Sequence, residues 1–183
     1  MKKSLFETAL DMADGVIAQV SASMLERPTP CQDWNMRQLL NHMYNELAWV
    51  PELLAGKTID QVGDALDGDL VGDDLHKSWD MYAGAARTAA AHSAPEKVVH
   101  LSYGNSPAND YLNEMAADIT VHTWDVAQAA GLKFRIDNTL AEAIYTQTKP
   151  NIAAWRKAGL VGAEKPVPPG ASAEAKLIAL FGR

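Results

Sequence analysis

The sequence predicts an all-α fold: an antiparallel four-helix bundle with extra short helices toward its C-terminal end. Three observations carry this. Apolar residues recur at helical spacing in several long segments, those segments begin and end on helix-capping residues, and only one short stretch has the composition of a strand. The connections between the long segments are mostly short, which favours antiparallel neighbours.

The first helix is expected over about Leu5 to Met24, where Phe6, Leu10, Ile17 and Val20 gather on one side. Arg27-Pro28-Thr29-Pro30 stops it, because proline cannot continue a helix and biases its predecessor toward extended backbone. The second helix starts after Asn35, a good N-cap, and runs through Leu39, Leu40, Met43, Leu47 and Val50 to about Leu54, with Gly56 as its stop. Gly63 to Asp74 is rich in Gly and Asp and reads as an acidic surface loop. A third helix follows from about Asp74 to His92. Val98 to Tyr103 is the one strand-like piece, with an extended connector as the other reading. The fourth helix is expected to be capped by Ser106, with Pro107 in its first turn, and to end at Gly131. Its roughly 24 residues correspond to about 36 Å at helical rise. A fifth helix spans about Asn138 to Lys157, kinked or broken at Pro150. Pro166 to Pro169 is an extended linker, and Ala173 to Phe181 forms a short closing helix.

A length of 183 residues suits one domain over 1–183 with its own core. The formal net charge of −7, with no local concentration of Lys and Arg, disfavours nucleic acid and anionic membrane surfaces as partners. The only cysteine, Cys31, cannot form an internal disulfide. Met1-Lys2-Lys3 resembles the start of a signal peptide, but Glu7, Asp11 and Asp14 interrupt what would be its apolar core. No apolar run reaches the roughly 20 residues of a membrane span. A cytoplasmic location is expected.

The informative stretch is Asp118-Ile119-Thr120-Val121-His122-Thr123-Trp124-Asp125. Asp118 and His122 stand one turn apart on one helix face, so a carboxylate and an imidazole can converge on one cation. An ordinary helix-surface pair is the other reading of that spacing. His42 lies mid-way along the second helix among apolar positions, where a facing helix can bring it to the same height as Asp118 and His122. A histidine on a core-facing stripe is more often hydrogen-bonded packing than a ligand, which is the other reading of His42. Three protein ligands leave a coordination position open, the pattern of catalytic metal sites. Glu46, one turn after His42, either approaches the metal or a bound water as a base or pairs at the surface. Asp125 either orients a ligand or faces water. Cys31 reads as a small buried hydrophobe rather than a reactive thiol. Trp34, Trp49 and Trp124 read as core. His76, His92 and His100 have no ligand-like partners at useful spacing. Tyr103 and Asn105 are placed to contribute to a substrate mouth. No residue is singled out as catalytic.

Thr29-Pro30-Cys31-Gln32-Asp33-Trp34, Leu39-Leu40-Asn41-His42, Val121-His122-Thr123-Trp124-Asp125-Val126-Ala127, Gly131, Pro166-Val167-Pro168-Pro169 and Leu177-Ile178-Ala179-Leu180-Phe181-Gly182-Arg183 together resemble the DinB-like metalloproteins. The resemblance is to their mycothiol-dependent maleylpyruvate isomerase N-terminal-like branch, and it covers nearly the whole chain. It implies a DinB-like four-helix bundle holding a divalent metal, zinc ahead of nickel, through His42, Asp118 and His122. It further implies a metal-dependent enzyme of S-transferase or isomerase type that uses a low-molecular-weight thiol and a small-molecule substrate. A non-catalytic metal or small-molecule binding module is the alternative. The isomerase itself carries an additional C-terminal domain, which this chain is expected to lack. A homodimer through an exposed helix face is compatible with each reading.

Overall fold

The helical segments form where caps and apolar periodicity agree. A computed structural model describes residues 3–31 and 33–183. Met1 and Lys2, part of the signal-peptide comparison, and Gln32, within the Thr29–Trp34 motif, lie outside the described residues.

Helix α1 spans Leu5–Ile17, with the Ser4 side chain accepting from the Glu7 N–H. It ends earlier than the expected Met24. Gln19 and Val20 donate to carbonyls three residues back, a tightening turn. Ser21 then turns extended before a 3₁₀ turn at Ala22–Met24. Helix α2 is Met36–Ala55, with Asn35 and Gln38 closing a reciprocal capping box and Gly56 ending it at φ 96°. A short helix α3, Ile59–Val62, was not expected from the sequence; Thr58 and Gln61 form a second capping box there.

Helix α4 is Leu75–His92, capped by Asp74. Strand β1, Val98–Leu101, pairs antiparallel with β2, Gly104–Pro107, so the expected single strand is half of a ribbon. Helix α5 is Ala108–Ala130 and stops at Gly131, φ 72°. Ser106 does not cap it, because Ser106 is paired with Val99 in the ribbon. The Ala108 and Asn109 N–H groups donate instead to the carbonyls of Lys97 and Pro95, which satisfies the helix start without a side chain. The expected fifth helix is divided around Pro150 into α6, Asn138–Thr148, and α7, Ile152–Lys157. Helix α8 is Ala173–Leu180.

Helix α1 packs chiefly on α5, α2 on α4 and α5, and α6 on α8. His42 faces Asp118 while Trp34 approaches His122, so α2 and α5 run antiparallel. Leu10, Leu39, Leu40, Met43, Leu47, Ile119 and Ile144 are completely buried between these helices. This is the all-α, DinB-like arrangement that the sequence predicts. Among the described residues, no helix is long and apolar enough to cross a membrane.

Candidate metal centre

Two core-facing helices carry the site. The apolar stripe of α2 buries Leu39, Leu40, Met43 and Leu47, which leaves His42 on the flank that meets α5. On α5, Asp118 and His122 share that flank one turn apart. The Asp118 Oδ1 lies 3.4 Å from His42 Nε2 and 3.3 Å from His122 Nε2. The two imidazoles meet edge to face, with centroids 4.8 Å apart. One donor atom from each of the three residues lies within 4.8 Å of the others.

These spacings bear on what the cluster can hold. Charge-assisted N–H···O bonds are usually about 2.7–2.9 Å long, so both Asp118 contacts are long for hydrogen bonds. Donors about 2.1 Å from a shared tetrahedral ion stand roughly 3.4 Å apart. The second oxygen of Asp118, Oδ2, is buried with no hydrogen-bond partner. Two imidazole nitrogens and one carboxylate with an unsatisfied oxygen are a donor set that fits a divalent cation.

The electrostatics agree with a mutually charged cluster. Burial opposes ionisation of Asp118, but the charges of His122 and His42 outweigh it and hold the carboxyl well below the usual range. Burial likewise opposes the charged form of His122, yet Asp118, with help from Asp125 and Cys31, holds that imidazole well above its ordinary value. Glu46 reaches within 4.0 Å of His42 Nδ1. Burial, reinforced by the Asp118 charge and opposed by His42 and His122, pushes its carboxyl up to about 7.

Behind His122 lies a layer the sequence left open or missed. Asp125 is fully buried rather than facing water. Its Oδ2 stands 3.1 Å from His122 Nδ1. A carboxylate there accepts the Nδ1 hydrogen and turns Nε2 toward Asp118. Arg183 grips Asp125 bidentately, Nε to Oδ1 at 3.0 Å and Nη2 to Oδ2 at 2.9 Å. Burial raises the Asp125 carboxyl, but the hydrogen bonds from His122 and Arg183 prevail and keep it below the ordinary range.

Cys31 is corrected from a small buried hydrophobe to a half-buried polar participant. Its Sγ lies 3.2 Å from Asp125 Oδ2, 3.0 Å from Arg183 Nη2 and 3.7 Å from His122 Nδ1. Cys31, His122 and Asp125 form a second group of potential metal donors. The Arg183 guanidinium already supplies the positive charge at that group. The sequence signal for Cys31 was its place just before a helix start; spacing offered none for Arg183.

The cluster opens onto a cleft of about 890 Å³, walled in part by Trp34, Glu46, Tyr103, Lys165 and Phe181. Trp34 packs against the core, as Trp49 and Trp124 do, and also lines the cleft, with its ring 4.9 Å from that of His42 between centroids. Trp49 lines a neighbouring hollow. Tyr103 reaches the cleft as expected, whereas Asn105 Oδ1 accepts from His100 Nδ1 at 2.8 Å in the ribbon and does not line it.

The profile of the mycothiol maleylpyruvate isomerase N-terminal domain matches residues 6–127. The chain belongs to this DinB-like family. Two uncharacterised proteins of Mycobacterium tuberculosis, from strains CDC 1551 / Oshkosh and ATCC 25618 / H37Rv, are each 25% identical over 136 residues, spanning 74% of this chain and 70% of theirs. No solved structure matches significantly. The family match takes in His42, Glu46, Asp118, His122, Asp125 and Cys31, whereas Lys165 and Arg183 lie beyond it. The family's helices thus supply the donors, and a later segment supplies basic side chains at the edge of the cleft.

Proposed function

We propose that this chain is a divalent-metal-binding protein that uses its metal to activate a low-molecular-weight thiol, in an S-transfer or isomerisation reaction on a small-molecule substrate. The observation that carries the reading is Asp118 Oδ1 at 3.4 and 3.3 Å from two histidine nitrogens, beside its unpartnered Oδ2 and at the floor of an open cleft. His42, Asp118 and His122 are the ligands, with zinc the first candidate and nickel the second. A divalent cation so held supplies Lewis acidity, which makes a thiol acidic enough to ionise near neutral pH. Asp125 keeps the His122 lone pair turned inward, and Arg183 keeps Asp125 ionised. Trp34 packs against His42 and helps fix its ring. Glu46, on the cleft wall, is the carboxylate placed to take the proton of an incoming thiol.

The same reading makes the chain one DinB-like domain, cytoplasmic, with a small-molecule partner rather than nucleic acid, and able to pair as a homodimer. A non-catalytic metal-binding module would keep the ligands and show no turnover; the open cleft beside them favours the enzyme. The test is elemental analysis of protein purified without a histidine tag, wild type beside His42→Ala, Asp118→Ala and His122→Ala. Near-stoichiometric metal that the variants lose supports the site, and thiol-transfer activity that disappears in His122→Ala separates enzyme from module. No metal after reloading with zinc or nickel would sink the proposal.

A further inference from the structure

Two kinds of side chain line the cleft, and they arrive from different parts of the chain. Helices α2 and α5 bring the candidate ligands and Glu46. Helix α7, the loop after it and the residue that ends α8 bring Trp155, Leu160, Val161 and Phe181, none of them charged. The Trp155 and Phe181 rings pair at 6.3 Å between centroids, tilted by 55°. Leu160 is 70% exposed and Tyr103 65%, which makes them the most exposed large apolar side chains among the described residues. Both line this one cleft. A single exposed leucine is ordinary, but exposed apolar side chains gathered around one concavity mark a binding surface.

A separate observation shows that the exposure of Leu160 is imposed by the backbone. Helix α7 ends in a Schellman motif: Gly159, at φ 77°, donates to Arg156 O, and the Leu160 N–H reaches back to Trp155 O at 2.9 Å. The chain beyond is tied down as well. Arg156 donates from Nε to Gly162 O at 3.2 Å and from Nη2 to Leu180 O at 2.7 Å. The Lys165 N–H donates to Ala179 O at 2.9 Å. The hydrophobic contact that frequently accompanies a Schellman motif would cover Leu160 with Trp155, yet 70% of Leu160 stays open. A segment fastened on both sides therefore holds an uncovered leucine in the cleft of the candidate metal.

We propose that this wall is the subsite for an uncharged aromatic group on the acceptor substrate, with Leu160 as the residue that selects for it. Aromatic rings pack on one another edge to face or offset, and Trp155, Phe181 and Tyr103 offer rings for such packing. Leu160 and Val161 offer aliphatic cover. Burying the ring against them removes apolar area from water on both partners, which favours it over a polar group of the same size. A carboxylate gains little here, because the Arg183 guanidinium is already engaged by Asp125. An ammonium finds no carboxylate among the four wall residues. A cleft of about 890 Å³ lies within the roughly 300–1,000 Å³ of ligand pockets, so a thiol and a ring can share it. The inference rests on the proposed function for the reaction and names its acceptor class. Binding of the ring needs no metal, so the two can fail separately.

The experiment titrates full-length protein, metal-free and zinc-loaded, with benzyl alcohol, benzoate, benzylammonium and glucose, following the Trp155 indole and the Leu160 methyl signals by NMR. The expected result is saturable binding of benzyl alcohol in both forms, with glucose at least about ten-fold weaker. In the metal-free form, where no metal can hold a carboxylate, benzoate and benzylammonium should bind no tighter than the alcohol. Leu160→Ser should weaken benzyl alcohol by about five- to ten-fold without moving the thermal midpoint, since the side chain is mostly exposed. Met81→Ser, at a position 57% exposed and outside the cleft wall, should leave the affinity unchanged. No saturable shift in the metal-free form, glucose binding as tightly as benzyl alcohol, or benzoate or benzylammonium binding ten-fold tighter would overturn the inference. So would Leu160→Ser with affinity within two-fold of wild type, or a loss in Met81→Ser as large as in Leu160→Ser.

Discussion

Asp125→Asn tests the layer behind His122. The substitution keeps shape and removes one charge from a position with no solvent exposure. The His122 Nδ1 contact at 3.1 Å can survive only if the amide turns its oxygen to the imidazole, and its NH₂ then faces the Arg183 fork. Turned the other way, the amide keeps its oxygen for Arg183 Nε but sets its NH₂ against Nη2, and it no longer fixes the tautomer of His122. Either way one charge-assisted partnership is lost. Losing a partner that orients a metal-bound histidine typically costs about 10–100-fold in metal affinity. That range corresponds to roughly 1.4–2.8 kcal/mol. A guanidinium left without its carboxylate in a buried setting costs about 3–5 kcal/mol of folding stability. Arg183 keeps 16% of its side chain exposed, so a loss of about 2–4 kcal/mol is expected here. Zinc affinity is read by competition with a chromophoric chelator, and stability by urea unfolding of the metal-free protein. Zinc affinity within two-fold of wild type, together with a stability change below about 0.5 kcal/mol, would refute the reasoning. The double variant with Arg183→Gln should lose much less than the sum of the two single losses, because each change destroys the same pair.

Further outcomes follow from other parts of the structure. The metal-free fold holds the His122 proton more tightly than a free imidazole does, so zinc uptake should release protons, measurable as buffer-dependent heat in calorimetry. The sign is fixed: a histidine raised in the folded state stabilises it fully below the ordinary histidine value and loses that contribution as pH rises through the raised value. Zinc affinity should therefore climb with pH while metal-free stability declines; affinity that falls on raising the pH would contradict this. Asp118→Asn should reduce zinc affinity by more than about 100-fold, since the shared oxygen is lost as an anionic ligand, and equilibrium dialysis reads it. Leu40→Ala, at a completely buried position in α2, should cost about 2–5 kcal/mol in urea unfolding, and a loss under about 1 kcal/mol would show that this face is loosely packed.

The long helices were readable because their signals are local. Asn35 with Gln38, and the left-handed Gly131, fix ends of α2 and α5 through neighbours within a few residues. The start of α5 was less readable, because its first N–H groups are satisfied by Lys97 and Pro95, across the ribbon. The proximity of Asp118 to His122 follows from helical spacing, and that of His42 from two antiparallel helices meeting mid-length. Asp125 stayed ambiguous because one further turn of α5 could face water or the interior, and only the covering segment decides. Cys31 and Arg183 are 152 positions apart and meet through a bend and a closing helix, so no periodicity could join them.

Arg183 reaches Asp125 across a narrow crossing of two chain segments. Gly182 has φ 82°, and a Cβ there would stand 2.9 Å from Ala163 O and from Gly162 C and Cα. A methyl group at this point therefore has both the wrong backbone conformation and no room. Asp125 lies within the family-matched region, whereas Gly162, Gly182 and Arg183 lie outside it. A side chain at Gly182 would therefore be felt at His122, through Arg183 and Asp125, without touching any of the three candidate ligands.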